Sequence, residues 1–106
     1  MDLQNDVKMF MEAAEQFTTE TPRFTLQNDA QTTLYMNLIC EEYMELNKAF
    51  SGRNMIETAD AVADLVWVVL GLCNTVGIPF EKVWKEVKSS NMSKVSENGK
   101  ILKRED

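Results

Sequence analysis

From Val62 to Leu72 the chain is apolar on every side of a helix apart from Asp64, and this constrains the fold more than any other feature. A helix without a polar face must be buried by neighbours or by a partner subunit. Its limits can be read from the flanking residues. A helix is expected from about Asn54 to Val76, with Gly77 as its C-terminal stop and Pro79 opening a short fourth helix over Phe80 to Ser89. Upstream, Thr25 or Asn28 caps a long second helix that runs to about Phe50 and is ended by Ser51 and Gly52. Leu3, Val7, Phe10, Met11 and Ala14 recur at spacings of three and four, which predicts an amphipathic first helix from Asp2 to Gln16. The expected architecture is all-α and four-helix-bundle-like, with residues 1–94 as one domain. In the tail, 95–106, Asn98-Gly99 sits between short flanks as in a small hairpin turn, or else the segment is a polar end.

A domain of 106 residues has a large surface for its core, so long helices gain from burying a face in a second copy. A homodimer or homotetramer is expected. The hydrophobic fraction of 44% and charged fraction of 26% belong to a globular chain that folds. Net charge is −6 with a pI near 4.6, and no basic stripe offsets it, so neither nucleic acid nor an anionic membrane is an expected partner. Any phosphate handled here needs a cation between it and the protein. There are no histidines, which excludes imidazole bases, histidine triads and ordinary zinc sites and leaves carboxylate chemistry. Cys40 and Cys73 lie in apolar helical stretches without CxxC spacing and read as reduced core thiols. The N-terminus is polar and acidic and no apolar run is long enough to span a bilayer, which reads as a cytoplasmic protein.

Two acids interrupt faces that should be apolar. On a wheel of about 100° per residue, Glu42 lies among Tyr35, Leu38, Ile39, Leu46 and Ala49, and Glu45 lies about 60° to one side. On the third helix Asp64 interrupts the all-apolar segment, with Asp60 one turn earlier about 40° away, Glu57 three residues before that, and Trp67 continuing the line. Glu41 and Glu57 fit an ordinary solvated face equally well. Burying unpaired carboxylates costs several kcal/mol each, and the only nearby basic residues, Lys48 and Arg53, stand at helix ends. A divalent cation is the economical counter-charge. An all-oxygen donor set favours Mg²⁺, with Mn²⁺ as the alternative.

The run Glu41-Glu42-Tyr43-Met44-Glu45, followed by Ala61-Val62-Ala63-Asp64-Leu65-Val66-Trp67, resembles the all-α nucleoside triphosphate pyrophosphohydrolases, whose pattern is ExxE, a gap, then ExxD. With Ser90-Asn91-Met92-Ser93-Lys94 after the fourth helix, the likeness is to the short MazG-like branch, and it covers roughly Leu34 to Lys94. The resemblance implies Mg²⁺-dependent hydrolysis of nucleoside triphosphates to monophosphate and pyrophosphate. It places Glu42, Glu45 and Asp64 as metal ligands. The position three before Asp64 is Ala61 where the pattern has an acid, so Asp60 takes the fourth ligand place by a one-residue shift. Glu41 is then read as orienting the attacking water, and Lys48, Asn91, Lys94 and Trp67 as contacting phosphate, sugar or base. Phosphoribosyl-ATP pyrophosphohydrolase shares fold and motifs and stands second, with Asn91-Met92-Ser93-Lys94 read against it. A helical dimerisation module that binds nucleotide without cleaving it is the reading from another class.

Overall fold

The computed structural model describes residues 1–101, which hold four helices: α1 (Leu3–Ala13), α2 (Leu26–Ser51), α3 (Met55–Val76) and α4 (Phe80–Met92). Each boundary has a local cause. Asp2 caps α1 by accepting from the Asn5 N–H at 3.0 Å, and Asn54 caps α3 by accepting from the Glu57 N–H at 3.1 Å. At the start of α2, Asn28 reaches back to accept from the Thr25 N–H at 2.9 Å. Gly77 closes α3 with φ of 79°, a left-handed conformation that favours glycine. A Cβ there would also strike the Thr21 carbonyl. The fourth helix runs to Met92 rather than stopping at Ser89, because neither Ser90 nor Asn91 breaks it, and Asn91 therefore sits inside the helix.

α2 and α3 form a hairpin joined by a turn in which Gly52 N–H returns to Lys48 O and Asn54 N–H to Ala49 O. Tyr35, 3% exposed, lies over Gly71, where a Cβ would enter the ring. One turn further out, Gln31 Nε2 donates to Thr75 Oγ1 at 2.8 Å. Four residues along α2 thus match four back along α3, the mark of an antiparallel pair in one register. α1 crosses the C-terminal half of α3 with Val7 and Met11, and these join Tyr35, Val68 and Leu70 in the core.

Buried amides bind the connector from Ala14 to Thr25 to this core. Asn28, fully buried, donates through Nδ2 to the carbonyls of Arg23 and Thr75 at 3.0 and 3.1 Å. Gln31 brackets Phe17, accepting from its N–H at 2.9 Å and donating to its carbonyl at 2.7 Å. Gln4 ties α1 to the start of α4 by accepting from the Phe80 N–H at 3.0 Å and donating to the Ile78 carbonyl at 2.8 Å. Every one of these groups would be costly to bury unpaired.

α4 leaves α3 at 114°, and none of its side chains is buried. The radius of gyration is 16.9 Å, against about 13 Å for a compact domain of this length. No single helix among the described residues is long and apolar enough to cross a membrane. After α4, Val95 and Ile101 form an isolated antiparallel bridge around Gly99, whose φ is 75°. The rest of the expected tail, residues 102–106, lies outside the described residues.

Candidate active site

The register of the hairpin sets the site. Continuing seven residues from the Tyr35–Gly71 contact, about 10 Å along both helices, puts Glu42 opposite Asp64. A further seven puts Ala49 opposite Glu57. Glu45 and Lys48 on α2 and Asp60 and Ala61 on α3 lie between or beside these levels. Together these eight residues line one cleft of about 430 Å³. It carries five carboxylates and a single cation, Lys48. Arg53, the other nearby base, is turned away with its guanidinium 4.5 Å from the centre of the Phe50 ring. Among the described residues no ion pair involves a cleft carboxylate.

The electrostatics follow from that imbalance. The Glu42 carboxyl is held above the usual glutamate range, first by desolvation and then by repulsion from Asp64, Glu45, Glu41 and Asp60. Among the neighbouring acids Asp64 repels Glu42 most, in keeping with its place opposite Glu42 in the register. Glu42 is half-buried, whereas Asp64 is exposed. The wheel reading of Asp64 as surrounded by apolar neighbours is therefore corrected: it faces the opening between α2 and α3, where the paired helix presents another acid and water enters. Among the described residues no three acids are yet drawn around one point.

Glu57 was not among the ligands expected from sequence, yet it lines the cleft with Asp60. The signal was present. Glu57-Thr58-Ala59-Asp60 has the same three-residue spacing as Glu42-Tyr43-Met44-Glu45, so each helix contributes one such pair, and Asp64 follows one turn on. The acid sought at Ala61 is thus supplied one turn earlier. Glu41 is exposed and outside the cleft lining, although its charge reaches Glu42. Trp67 is also outside it and packs edge-on against Phe10, with ring centres 5.5 Å apart. Asn91 and Lys94 do not line the cleft of their own chain; Lys94 Nζ instead donates to Asn91 Oδ1 at 3.2 Å. Cys73 is buried and its thiol is pushed up by desolvation, but Cys40 is exposed, contrary to the reading of both as core thiols. The helical pattern around Cys40 is apolar because α2 carries an outward apolar stripe as well as its inward one.

A second depression of about 380 Å³ lies between the start of α1, residues 18–20 and the α3–α4 junction. Its charges, Asp2 and Glu20 against Lys8 and Lys82, are balanced, and Lys8 is already paired with Glu20 at 3.5 Å. Unpaired like charges converge in the acidic cleft and not in this depression.

An antiparallel helix pair presenting two acidic ExxE/ExxD-type pairs to a shared cleft defines an all-α pyrophosphohydrolase fold. The family model for phosphoribosyl-ATP pyrophosphohydrolase matches residues 7–91, which takes in α1, α2, α3 and nearly all of α4. The chain belongs to that family, within the all-α nucleoside triphosphate pyrophosphohydrolase superfamily, and is a hydrolase of the kind that acts on phosphoric anhydrides. The match ends at residue 91, where the Asn91-Met92-Ser93-Lys94 segment begins. No curated protein matches the chain.

Proposed function

We propose that the chain cleaves the bond between the α- and β-phosphoryl groups of a nucleoside triphosphate, releasing pyrophosphate, with Mg²⁺ (or Mn²⁺) bound by Glu42, Glu45, Asp60 and Asp64, and Glu57 beside them. The observation that carries this reading is a cleft with five carboxylates, one lysine and no internal ion pair. The donor chemistry fits the cation. All donors are carboxylate oxygens from two helices, and the raised Glu42 carboxyl reports a site short of positive charge. When bound, such a cation neutralises the acids, polarises a phosphoryl oxygen and lowers the pKa of a coordinated water.

The residues of the chain do the rest. Lys48, the cleft's only base, holds phosphate oxygens. A cleft carboxylate not engaged in cation binding accepts the proton of the attacking water, and Glu57, which lines the cleft with Ala49, is our candidate for it. Glu41 is the alternative for this role, although it is not among the residues that line the cleft. Water adds to the α-phosphorus, the bond to the bridging oxygen breaks, and pyrophosphate leaves.

The family match favours one particular substrate as a second reading: phosphoribosyl-ATP, which offers the same triphosphate to the same cleft. Release of pyrophosphate from a panel of ribo- and deoxynucleoside triphosphates and phosphoribosyl-ATP, with and without Mg²⁺, tests both. Release from simple triphosphates that is lost in Glu42→Gln supports the first, and release from phosphoribosyl-ATP alone supports the second. If purified wild-type protein with Mg²⁺ cleaves none of them, both readings fail.

A further inference from the structure

The chain has eight asparagines, and only Asn98 precedes a glycine. The side-chain amide carbon of an asparagine can be attacked by the backbone nitrogen of the next residue, closing a five-membered imide. Two things oppose this: the side chain of the next residue, which obstructs the approach, and a backbone held in fixed hydrogen bonds. Glycine removes the first, having no Cβ.

The fold removes the second only at Asn98. The other seven asparagines lie in helices or, in the case of Asn54, cap one, so the chain ahead of each is tied into a helix. Several of their side chains are engaged as well: Asn28 donates to two carbonyls, Asn54 accepts from Glu57, and Asn74 pairs with Gln4. Asn98 lies beyond α4 in the turn Ser96-Glu97-Asn98-Gly99, closed by the Gly99 N–H donating to the Ser96 carbonyl at 2.8 Å. Residues 97–100 are exposed, and a Cβ at Gly99, where φ is 75°, would meet nothing within 4 Å among the described residues. The turn is flanked by the single bridge between Val95 and Ile101, and Ile101 is 69% exposed. A two-stranded hairpin is marginal in water, so this one opens locally while the helices stay folded. Opening breaks the bond to Ser96 and frees the Gly99 nitrogen beside the Asn98 amide.

We propose that Asn98 is a site of spontaneous modification, at which the folded chain converts this amide to an isoaspartyl linkage. The Gly99 nitrogen gives its proton to solvent base and bonds to Asn98 Cγ; the Cγ–Nδ2 bond breaks, and that nitrogen leaves as ammonia. Water then opens the imide at either carbonyl. Opening at the former backbone carbonyl routes the chain through the side-chain carbons, one methylene longer, and leaves a free carboxylate; opening at the other gives aspartate. Water is the only co-reactant. Either product adds one negative charge beside Lys100, two residues on. The isoaspartyl product also lengthens the hairpin loop, and because cross-strand pairing depends on register, it separates Val95 from Ile101. The change is a mark of the chain's age, written in the tail and outside the acidic cleft. It is independent of the hydrolysis proposed above.

The test ages the purified full chain in mildly alkaline buffer and follows every asparagine by peptide mass spectrometry. Asn98 is expected to convert first, with one equivalent of ammonia released per converted chain and a shift of one unit charge on isoelectric focusing. Isoaspartate is the expected major product, and a carboxyl-methylating enzyme specific for that residue labels it from S-adenosylmethionine. Ammonia release and the charge shift are expected to be lost in Asn98→Gln and slowed in Gly99→Ala. In the converted protein the cross-strand nuclear Overhauser contact between Val95 and Ile101 is expected to disappear while helical circular dichroism is unchanged. An Asn98 that stays intact in the folded protein while it converts in urea, or while another asparagine converts, would overturn the proposal. So would a Gly99→Ala variant that converts at the wild-type rate, aspartate as the sole product, or a Val95–Ile101 contact that survives conversion.

Discussion

Replacing Gly71 with alanine places a methyl group inside the ring of Tyr35, where α2 packs on α3. The ring has little room to yield, being 3% exposed and anchored by a 2.6 Å hydrogen bond from its hydroxyl to Gln16 Oε1. Overpacking of this kind costs about 1–3 kcal/mol, and a ring displaced from Gln16 forfeits about 1 kcal/mol more. Against this, alanine gains about 1 kcal/mol over glycine in a helix. The net expectation is a loss of about 1–3 kcal/mol, or roughly 5–20 °C in Tm at about 4–8 °C per kcal/mol. The consequence extends to the proposed cation site, because the contact lies two turns from both Glu42 and Asp64; helices pushed apart there are expected to weaken the proposed Mg²⁺ binding, read as a smaller Mg²⁺-induced rise in Tm. Thermal and urea unfolding of Gly71→Ala, Tyr35→Leu and the double variant form a cycle in which the double should be less destabilised than the sum by about 1–2 kcal/mol. A Gly71→Ala protein that gains stability, as an uncrowded helix glycine would, or a cycle that is additive, refutes the close-approach argument.

Glu42→Gln should abolish most of the Mg²⁺-induced rise in Tm while leaving the cation-free protein as stable as wild type or more so at pH 7, and a full Mg²⁺ response in the variant would remove Glu42 from the cation site. The raised Glu42 pKa has a definite sign in stability: the folded state holds this proton more tightly than the unfolded chain. The stability it contributes is present in full below the ordinary glutamate value, about 4.3, and is lost as pH rises through the folded value. Without divalent cation, the stability difference between wild type and Glu42→Gln should therefore move against wild type over that window, and a flat difference contradicts the crowding of acids around Glu42. Asn28→Ala removes the partner of the Thr25 N–H and of two carbonyls in a fully buried position, and should cost about 2–4 kcal/mol in urea unfolding; a loss under 1 kcal/mol would mean water replaces the amide.

The four helices and the acids at the centre of the site were legible in the sequence, since both depend on local chemistry. Asn54, Gly77 and Pro79 mark boundaries through their own hydrogen bonds and dihedral preferences, and the wheel set Glu42 on the same face as Tyr35 and Ala49, both of which are buried. A wheel gives direction about one helix axis, however, and says nothing about what stands opposite. Asp64 lies within its apolar segment in sequence yet is exposed, because the facing residue is Glu42 and the space between them opens into a cleft. Glu57 was no different from a solvated acid until the Tyr35–Gly71 register carried it to the level of Ala49. Cys40 and the apolar residues of α4 fit a core pattern equally well, and only the 114° departure of α4 and the crossing of α1 over the C-terminal half of α3 decided which apolar faces this chain covers by itself. The sequence by itself determined where each helix starts, stops and presents its acids. Which of those acids meet was decided by one glycine that lets two helices approach, since the pairing of distant residues depends on interhelical register and not on any local preference.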